Sequence, residues 1–439
     1  MTPRDAVAMA AILALALAML FLLRLYRQWT GAEGEWVRKL AHLGTGLMSI
    51  SLPWIFSNRI PILIICGASI ALLLTMRYLP LVRDRLSGVL DDVARESWGE
   101  FYFPVSVALL YQLANGSKLL YAVPLLVLTL ADTVAALTGA EYGKHGYSAT
   151  GARKTVEGSI AFFCAAFFSV NVALVVFSGT GKIETLLISL DIAVIVMLLE
   201  AVAWRGLDNI FIPLGVFILL RLYLAMSVGQ LWNRFRVAAA LLIFVTAYAR
   251  KTTLQGSALL ASALVLYVSW ALGGWQWLIP PATLLLAYTA FFPGKITPSD
   301  RTHNVYAVLS IASAGLVWLF LFRVWQQPGF LFPYTLAFAI NLALVAWNLL
   351  YPRYSSVRRV MVLCVLISWA LMFAPYLLVE GVSRSSLLQT AAALLISAVA
   401  FAVFYGLEPR REGTYPASSA RWLRQAAIVL LATLASRIF

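Results

Sequence analysis

The sequence predicts an all-α protein that crosses a membrane many times. Hydrophobic residues make up 62% of the 439 residues, charged residues only 12%, and aromatic residues 13%. A chain of this composition lies far outside the range of water-soluble domains and needs lipid as its solvent. It lacks the alternation of apolar and polar residues that a membrane β-barrel requires, so helices remain as the way to cross the bilayer.

Apolar stretches of membrane-spanning length follow one another along the whole chain. They predict a bundle of about 14–17 transmembrane helices, with about sixteen as the central count. The first stretch has no small-residue cleavage site and leads into basic residues, so we interpret it as a retained helix and not as a signal peptide. The expected spans lie near residues 6–26, 41–56, 60–76, 101–114, 119–139, 158–178, 185–203, 210–228, 237–249, 255–272, 275–291, 304–323, 331–351, 359–378, 387–405 and 424–438.

The net charge of +14 indicates topology and not a nucleic-acid partner. The basic residues are scattered through short loops and form no single stripe, which argues against nucleic acid. If the N-terminus lies outside, the loops richest in Lys and Arg all fall on the inner side, as the positive-inside rule requires. The sequence therefore predicts a multi-pass membrane protein with an outside N-terminus. It does not indicate an oligomeric state.

Polar residues at membrane depth are dense in the first half of the chain and sparse in the second. This contrast predicts a site-bearing part at 1–235 and an additional helical part of unknown role at 236–439. The segment 250–257, RKTTLQGS, resembles 153–159, RKTVEGS, but lacks the glutamate. It is either a repeat that has lost its acids or a chance similarity, because small and hydroxyl residues are common in membrane helices.

The residues 131–161 form a polar island between two apolar spans, on the predicted cytoplasmic side. Asp132, Ala136, Gly139 and Gly143 are spaced by four, three and four residues, which places them on one face of a helix. The small residues let a backbone or a ligand approach the aspartate. Asp132 is then either a structural partner of an arginine or a functional residue, the more common role of an acid inside a membrane.

The second half of the island has the composition of a phosphate-binding loop. Residues 143–154 combine glycines, small hydroxyl residues and cations, and a helix is expected to begin at about Thr155. Exposed backbone N–H groups, a helix N-terminus and nearby cations together favour phosphate. The Walker pattern is absent. The predicted phosphate contacts include Gly143, Lys144, Gly158 and Ser159.

Glu157 has two interpretations. It either complements the helix dipole beside a Thr155 cap, or supplies an oxygen ligand for Mg²⁺ together with Asp132. Mg²⁺ is usually held by one or two carboxylates and by substrate phosphates, which suits a phosphate-binding loop.

Two further polar clusters lie beside spans. Lys39 and His42 share a helical face with Gly46, and Arg38 precedes them. The second cluster has Glu200 inside a span, followed by Asp208 and Asn209. A minor third candidate is 99–104, where an early proline suggests a half-helix that opens onto a cavity.

The pattern of these blocks resembles the CTP-dependent lipid-alcohol kinases, which include dolichol kinase, phytol kinase and the yeast-type diacylglycerol kinase. It is similar, more distantly, to the phosphatidate cytidylyltransferases. The resemblance covers residues 35–230. The matching blocks, in order, are Arg38-Lys39-x-x-His42, Gly99-Glu100-x-Tyr102, Asp132-x-x-Ala135-x-x-x-Gly139-x-x-x-Gly143-Lys144, Lys154-Thr155-x-Glu157-Gly158-Ser159, and Glu200 with Asp208-Asn209-x-x-x-Pro213.

The resemblance implies an enzyme that transfers phosphate from a nucleoside triphosphate, CTP, to a membrane lipid alcohol at the cytoplasmic face, with a divalent cation such as Mg²⁺. Phosphoryl transfer needs in-line positioning and neutralised charge more than covalent chemistry. The predicted sites fall into three groups. They are catalytic Asp132, Lys154, Glu157, Glu200 and His42; phosphate-binding Lys144, Gly143, Thr155, Gly158, Ser159, Lys39 and Arg38; and metal-binding Asp132, Glu157, Asp208 and Asn209.

Three points stay open at this stage. Glu200 or His42 would orient the lipid hydroxyl or accept its proton. The reaction could instead be CMP transfer to a lipid phosphate. A transporter is a third possibility, but it would place acids near mid-bilayer in both halves of the chain.

Overall fold

The structure is a computed structural model that describes residues 2–78, 98–149, 152–290, 303–350, 356–408 and 418–436. Within these ranges the protein is almost entirely helical, which confirms the predicted all-α membrane fold. Sixteen α-helices and two short strands are described there. The chain forms two compact units, Met1–Ala238 and Ala239–Phe439.

The first unit contains eight helices and the start of a ninth. Its elements are α1 (Pro3–Thr30), α2 (Gly34–Ile55), α3 (Arg59–Tyr78), α4 (Gly99–Ala114), α5 (Lys118–Tyr142), β1 (Gly146–Ala149), β2 (Ala152–Thr155), α6 (Val156–Phe177), α7 (Lys182–Val202) and α8 (Asp208–Tyr223), with α9 (Val228–Tyr248) running past its end. The second unit contains α10 (Gly256–Gly273), α11 (Trp275–Ala290), α12 (Val305–Trp325), α13 (Leu331–Leu350), α14 (Val357–Glu380), α15 (Arg384–Leu407) and α16 (Ser419–Ala435).

Ten of the described helices are long and apolar enough to cross a membrane. They are α1, α5, α6, α7, α9, α10, α12, α13, α14 and α15. Four of the other described helices, α4, α8, α11 and α16, have only 16 or 17 residues, less than a typical transmembrane helix needs. The proline-containing helix α4 begins at Gly99, the position where the sequence suggests a half-helix.

Helix α5 is the centre of the first unit. It packs against α2, α6 and α8, and its buried side chains Val127 and Leu128 join Phe162 of α6 and Ile192 of α7 in one apolar core. Burial of such side chains is the main force that holds the helices in register. The polar end of α5, which carries Asp132, is thereby brought close to α2 and α6.

The segment after α5 differs from the predicted open loop. Residues 146–149 and 152–155 pair as an antiparallel hairpin, with Gly146 opposite Thr155 and Tyr147 opposite Lys154. Strand pairing uses backbone N–H and C=O groups that an open phosphate-binding loop would leave free. The start of α6 agrees closely with the prediction. Thr155 is its N-cap, and its hydroxyl accepts a hydrogen bond from the Gly158 N–H at 3.1 Å.

Close contact between α2 and α5 depends on Gly46. A Cβ atom at this position would overlap the Thr129 side chain. We expect Gly46→Ala to lower the free energy of unfolding by about 1–3 kcal/mol, because the two helices must separate or Thr129 must leave its rotamer. Thermal unfolding in detergent would measure the change.

Two further variants control this prediction. Gly67→Ala on α3 has nothing within 4 Å of the added methyl group and should have little effect. Gly46→Ala combined with Thr129→Ala should recover part of the loss, since the overlapping Oγ1 and Cγ2 atoms are removed. Equal stability of Gly46→Ala and the parent protein would contradict the close packing of α2 on α5.

Candidate active site

A buried ion pair joins α2 to α5. Lys39 Nζ donates to Asp132 Oδ2 at 2.6 Å, and the two side chains are only 5% and 17% exposed. His42, one helical turn after Lys39, brings its Nε2 to 3.6 Å from the same carboxylate oxygen. That distance is too long for a hydrogen bond. The His42 ring meets the edge of Phe103 on α4, with 5.6 Å between the ring centres.

A second buried ion pair joins the hairpin to α7. Lys154 Nζ, at the end of β2, lies 2.6 Å from Glu200 Oε1 and also donates to the Glu200 backbone carbonyl oxygen. The two side chains are 18% and 13% exposed. A charge pair removed from water to this degree is costly unless it is closely matched, so its geometry holds the hairpin against the end of α7.

The two ion pairs belong to one charged cluster. Asp132 and Asp208 both interact electrostatically with Glu200, and Asp208 also interacts with Lys154 and His42. We refer to Lys39, His42, Asp132, Lys154, Glu200 and Asp208 as the charged cluster. Its three carboxylates face two lysines, so its acids exceed its lysines by one. The sequence places these residues in four of the five matching blocks, and the fold brings these four blocks together.

Two buried atoms of the charged cluster have hydrogen-bonding capacity to spare. Asp208 Oδ1 and His42 Nε2 are each buried without a hydrogen-bond partner among the described residues. Buried polar atoms are nearly always paired with protein, water or a ligand, and an unpaired one therefore calls for an explanation. Here the carboxylate oxygen and the imidazole nitrogen lie in the same cluster as two lysines, an arrangement suited to a charged ligand.

Lys154 stays positively charged in this environment. Burial alone would lower the pKa of its ammonium group, but attraction to Glu200 and Asp208 outweighs burial and the pKa is raised. A lysine pKa that moves upward leaves the group protonated throughout the physiological pH range. Lys154 is therefore a permanent buried cation beside two acids.

Comparison with known proteins gives one match. The chain is 28% identical to phytol kinase of Synechocystis sp. (strain ATCC 27184 / PCC 6803 / Kazusa) over 187 residues, which are 42% of this chain and 77% of the cyanobacterial protein. The resemblance to the lipid-alcohol kinase family is confirmed. No family model matches the chain, and no solved structure matches it.

Glu157 contacts His145, the residue just before β1. The backbone N–H of His145 lies 3.2 Å from both carboxylate oxygens of Glu157, and His145 Nδ1 lies 2.7 Å from Oε1. The imidazole is 79% exposed, so this contact is on the surface. Asp132, the other carboxylate of the predicted metal pair, accepts a hydrogen bond from Lys39. Among the described residues, no three His, Cys, Asp or Glu side chains are grouped closely enough to hold a metal ion by themselves.

Several predicted phosphate contacts have structural partners. Thr155 caps α6, and the Ser159 hydroxyl lies 2.8 Å from the Tyr147 hydroxyl. Gly158 lies against Gly139 of α5. A Cβ atom added at Gly158 would come within 3.0 Å of the Ala135 carbonyl oxygen. These contacts fix the hairpin and the start of α6 over the end of α5. The small residues at 139 and 158 permit the close approach that the helical spacing predicts.

The remaining predicted residues occupy the edge of the site. Gly143 follows α5, the Lys144 side chain is exposed, and Arg38 interacts electrostatically with Asp132 and His42. The side-chain amide of Asn209 donates to the Gly99 carbonyl oxygen at 3.1 Å, which ties the start of α8 to the start of α4. Asn209 therefore joins two of the predicted blocks through a hydrogen bond.

Sequence reasoning missed Tyr147. Its hydroxyl bonds to Ser159, and its side chain interacts electrostatically with Glu200 and Lys154, which places it beside the charged cluster. Burial raises the pKa of Tyr147, so its hydroxyl stays protonated. The only signal in the sequence is an aromatic residue inside a glycine-rich polar segment. Its position became clear only when the hairpin paired it with Lys154.

Proposed function

We propose that the protein transfers the terminal phosphate of CTP to the hydroxyl of a membrane lipid alcohol. The observation that carries the proposal is the charged cluster, in which two buried lysines and three carboxylates converge from separate helices. Phosphoryl transfer is catalysed largely by positioning and by neutralising charge on the transferred group, and such a cluster supplies both. Similarity to a phytol kinase supports the same chemistry and favours an isoprenoid alcohol as acceptor.

The lysines take the phosphate groups in this proposal. Lys154 is a permanent cation on the hairpin, and Lys144 is exposed at the start of the same segment. A triphosphate that approaches from the hairpin side would meet Lys144 first and Lys154 deeper in the site. Lys39 would hold Asp132 in place and help to balance the incoming negative charge.

The residues present fit a divalent cation such as Mg²⁺. Asp208 Oδ1 is a buried carboxylate oxygen without a hydrogen-bond partner among the described residues, and Asp132 and Glu200 are close enough to interact through their charges. Mg²⁺ commonly takes one or two protein carboxylates and fills its other positions with phosphate and water. We propose Asp208 and Asp132 as those carboxylates. The cation would neutralise phosphate charge when bound.

His42 is the proposed proton acceptor for the lipid hydroxyl. Its Nε2 is buried beside Asp132 and has no hydrogen-bond partner among the described residues, whereas Glu200 is engaged by Lys154. A general base must reach the proton that it accepts, and an imidazole nitrogen next to a carboxylate suits that role. The positive-inside pattern supports a cytoplasmic position for this end of the site.

One assay tests the reaction. The purified full chain in lipid nanodiscs is supplied with Mg²⁺, with CTP labelled at the γ- or α-phosphate, and with one acceptor at a time. The acceptors are phytol, a polyprenol, dolichol and diacylglycerol, with phosphatidate as the lipid phosphate. We expect γ-label in the lipid and none from the α-position, with phytol or another isoprenoid as the best acceptor. Unlabelled ATP, GTP and UTP, added in excess, test the choice of CTP.

Two results would overturn the proposed reaction, and a third would overturn only the choice of CTP. Transfer of α-label to a lipid phosphate would mean CMP transfer, the chemistry of the cytidylyltransferases. If folded protein labels no lipid with any of the four nucleotides as donor, lipid kinase activity is excluded. Transfer of label from ATP and not from CTP would overturn CTP as the proposed donor and leave the proposed lipid-alcohol acceptor unchanged.

A further inference from the structure

The second unit contains an apolar cavity that the proposed reaction does not use. Its volume is about 70 Å³, it is partly open, and side chains from α10, α11, α12 and α13 form its walls. The walls include Leu266, Leu285, Ile311 and Phe338, and they are almost entirely apolar. A cavity with such walls is dry in the absence of a ligand and favours hydrocarbon.

Polar side chains contribute to the wall of the cavity. Tyr288 and His303 line it, and Thr253 contacts both. Thr253 Oγ1 lies 2.9 Å from His303 Nδ1, the Tyr288 hydroxyl lies 3.2 Å from the same nitrogen, and the two hydroxyls bond to each other. All three side chains are less than 10% exposed. We refer to Thr253, Tyr288 and His303 as the polar triad.

The backbone holds the polar triad in place. The His303 N–H donates to the Thr253 carbonyl oxygen at 3.2 Å, and the Gln255 N–H donates to the His303 carbonyl oxygen at 2.8 Å. The Trp422 ring, which also lines the cavity, meets the His303 ring at 6.0 Å between centres. Residues 253–255 belong to the segment RKTTLQGS, which resembles part of the polar island. This segment keeps the two cations of the island, as Arg250 and Lys251, and has Gln255 where the island has Glu157.

The polar triad is uncharged at neutral pH. Burial, with a smaller contribution from Arg421, lowers the pKa of His303 to about 4, so its imidazole is neutral above that value. Among the described residues, the side chains that line the cavity include no Lys, Arg, Asp or Glu. A phosphate or a carboxylate would therefore meet no cation among the described lining residues, and its desolvation cost would be high. A hydroxyl can both donate and accept a hydrogen bond, as the triad does.

We propose that this cavity binds the hydroxyl end of a neutral long-chain alcohol, with the hydroxyl on the polar triad and the first carbons between α10 and α12. The volume is about half that of a cavity that admits benzene, which favours a narrow chain over a ring system. The open side allows the rest of a longer chain to leave the cavity. The inference concerns binding alone and stands independently of the proposed phosphate transfer.

The test is photolabelling of the full chain in nanodiscs without nucleotide. The probe is a hexadecanol that carries a diazirine near its hydroxyl end, and labelled peptides are identified by mass spectrometry. We expect label on cavity residues, with unlabelled hexadecanol competing and palmitate or hexadecane competing at least about tenfold less well. Label outside the cavity, or equal competition by all three compounds, would overturn the proposal.

Three variants sharpen the test. Leu266→Trp fills the cavity and should reduce labelling about tenfold or more, whereas Val317→Trp on the exposed side of α12 should leave it unchanged. Thr253→Val keeps the shape of the side chain, removes one hydroxyl and should reduce labelling about fivefold. Thermal unfolding in detergent identifies any variant that fails to fold. Full labelling of both folded cavity variants would contradict the site.

Because the assay contains no nucleotide, it is separate from the kinase assay. Loss of alcohol labelling with intact phosphate transfer would overturn this site alone. Labelling of the cavity in a protein that transfers no phosphate would overturn the proposed function alone.

Discussion

Replacement of Lys154 by methionine is expected to reduce phosphate transfer by about 100-fold or more. The ammonium group is a buried permanent cation that bonds to Glu200 at 2.6 Å, and methionine keeps the length of the side chain without the charge. Loss of a single group that stabilises transition-state charge typically costs about 10²–10³ in rate. Initial rates with γ-labelled CTP and a lipid alcohol would measure the change.

The chain offers a matched control for this variant. Lys251 occupies the corresponding position in the segment RKTTLQGS of the second unit, where its side chain is exposed. We expect Lys251→Met to leave the rate within about twofold of the parent, since surface substitutions usually have small effects. Full turnover by Lys154→Met would show that the buried cation takes no part in the reaction.

Combining Lys154→Met with Glu200→Gln separates the effect of Lys154 on catalysis from its effect on stability. Lys154→Met leaves the Glu200 carboxylate buried and unpaired, and breaking a buried ion pair costs about 3–5 kcal/mol. The double variant Lys154→Met with Glu200→Gln removes both charges and should regain much of the thermal stability. Activity should remain low. A double variant that recovers both stability and turnover would indicate a purely structural ion pair.

Asp132→Asn is expected to have the second large effect, a loss of about 100-fold in rate. The carboxylate holds Lys39 at 2.6 Å and lies 3.6 Å from His42 Nε2. An amide keeps the shape but loses the charge that both neighbours and a divalent cation require. If Asp132 helps to hold Mg²⁺, the Mg²⁺ concentration for half-maximal activity should rise by about tenfold or more.

Asp191→Asn is the matched control for Asp132→Asn. Asp191 is also a buried aspartate on a membrane helix of the first unit, and its carboxylate oxygens have no hydrogen-bond partner among the described residues. It lies in the middle of α7, nine residues before Glu200. We expect Asp191→Asn to keep the Mg²⁺ dependence of the parent. The same shift in both variants would argue for a general effect of altered buried charge.

A double variant decides what the Lys39–Asp132 pair contributes. Lys39→Met alone leaves Asp132 unpaired, and Asp132→Asn alone leaves Lys39 unpaired, so each single variant should lose stability. The double variant removes both charges of this pair, so neither is left buried without its partner. We expect the double variant to unfold at a higher temperature than either single variant and to remain inactive. Recovery of turnover in the double variant would contradict a catalytic role for Asp132.

Several features of this protein follow from local sequence alone. Apolar runs of sufficient length predicted a helical membrane bundle, and the helices lie close to the predicted spans. The cap at Thr155 and the close approach at Gly139 also follow from spacing along one helix. These are properties of neighbouring residues, because helical periodicity and capping act within a few residues. The family resemblance rests likewise on short blocks in a fixed order.

The partners of the charged residues depended on the tertiary structure. One interpretation of the sequence has Asp132 and Glu157 holding Mg²⁺ together, and this stays a prediction. In the structure Asp132 pairs with Lys39, 93 residues away, and Glu157 contacts His145. Lys154 pairs with Glu200, 46 residues away. Such pairs depend on how far each helix is rotated about its axis when its apolar face packs in the core, and residue spacing within one helix does not determine that rotation. The hairpin itself pairs neighbouring segments, but its position beside α7, where Lys154 meets Glu200, depends on packing between elements distant in sequence.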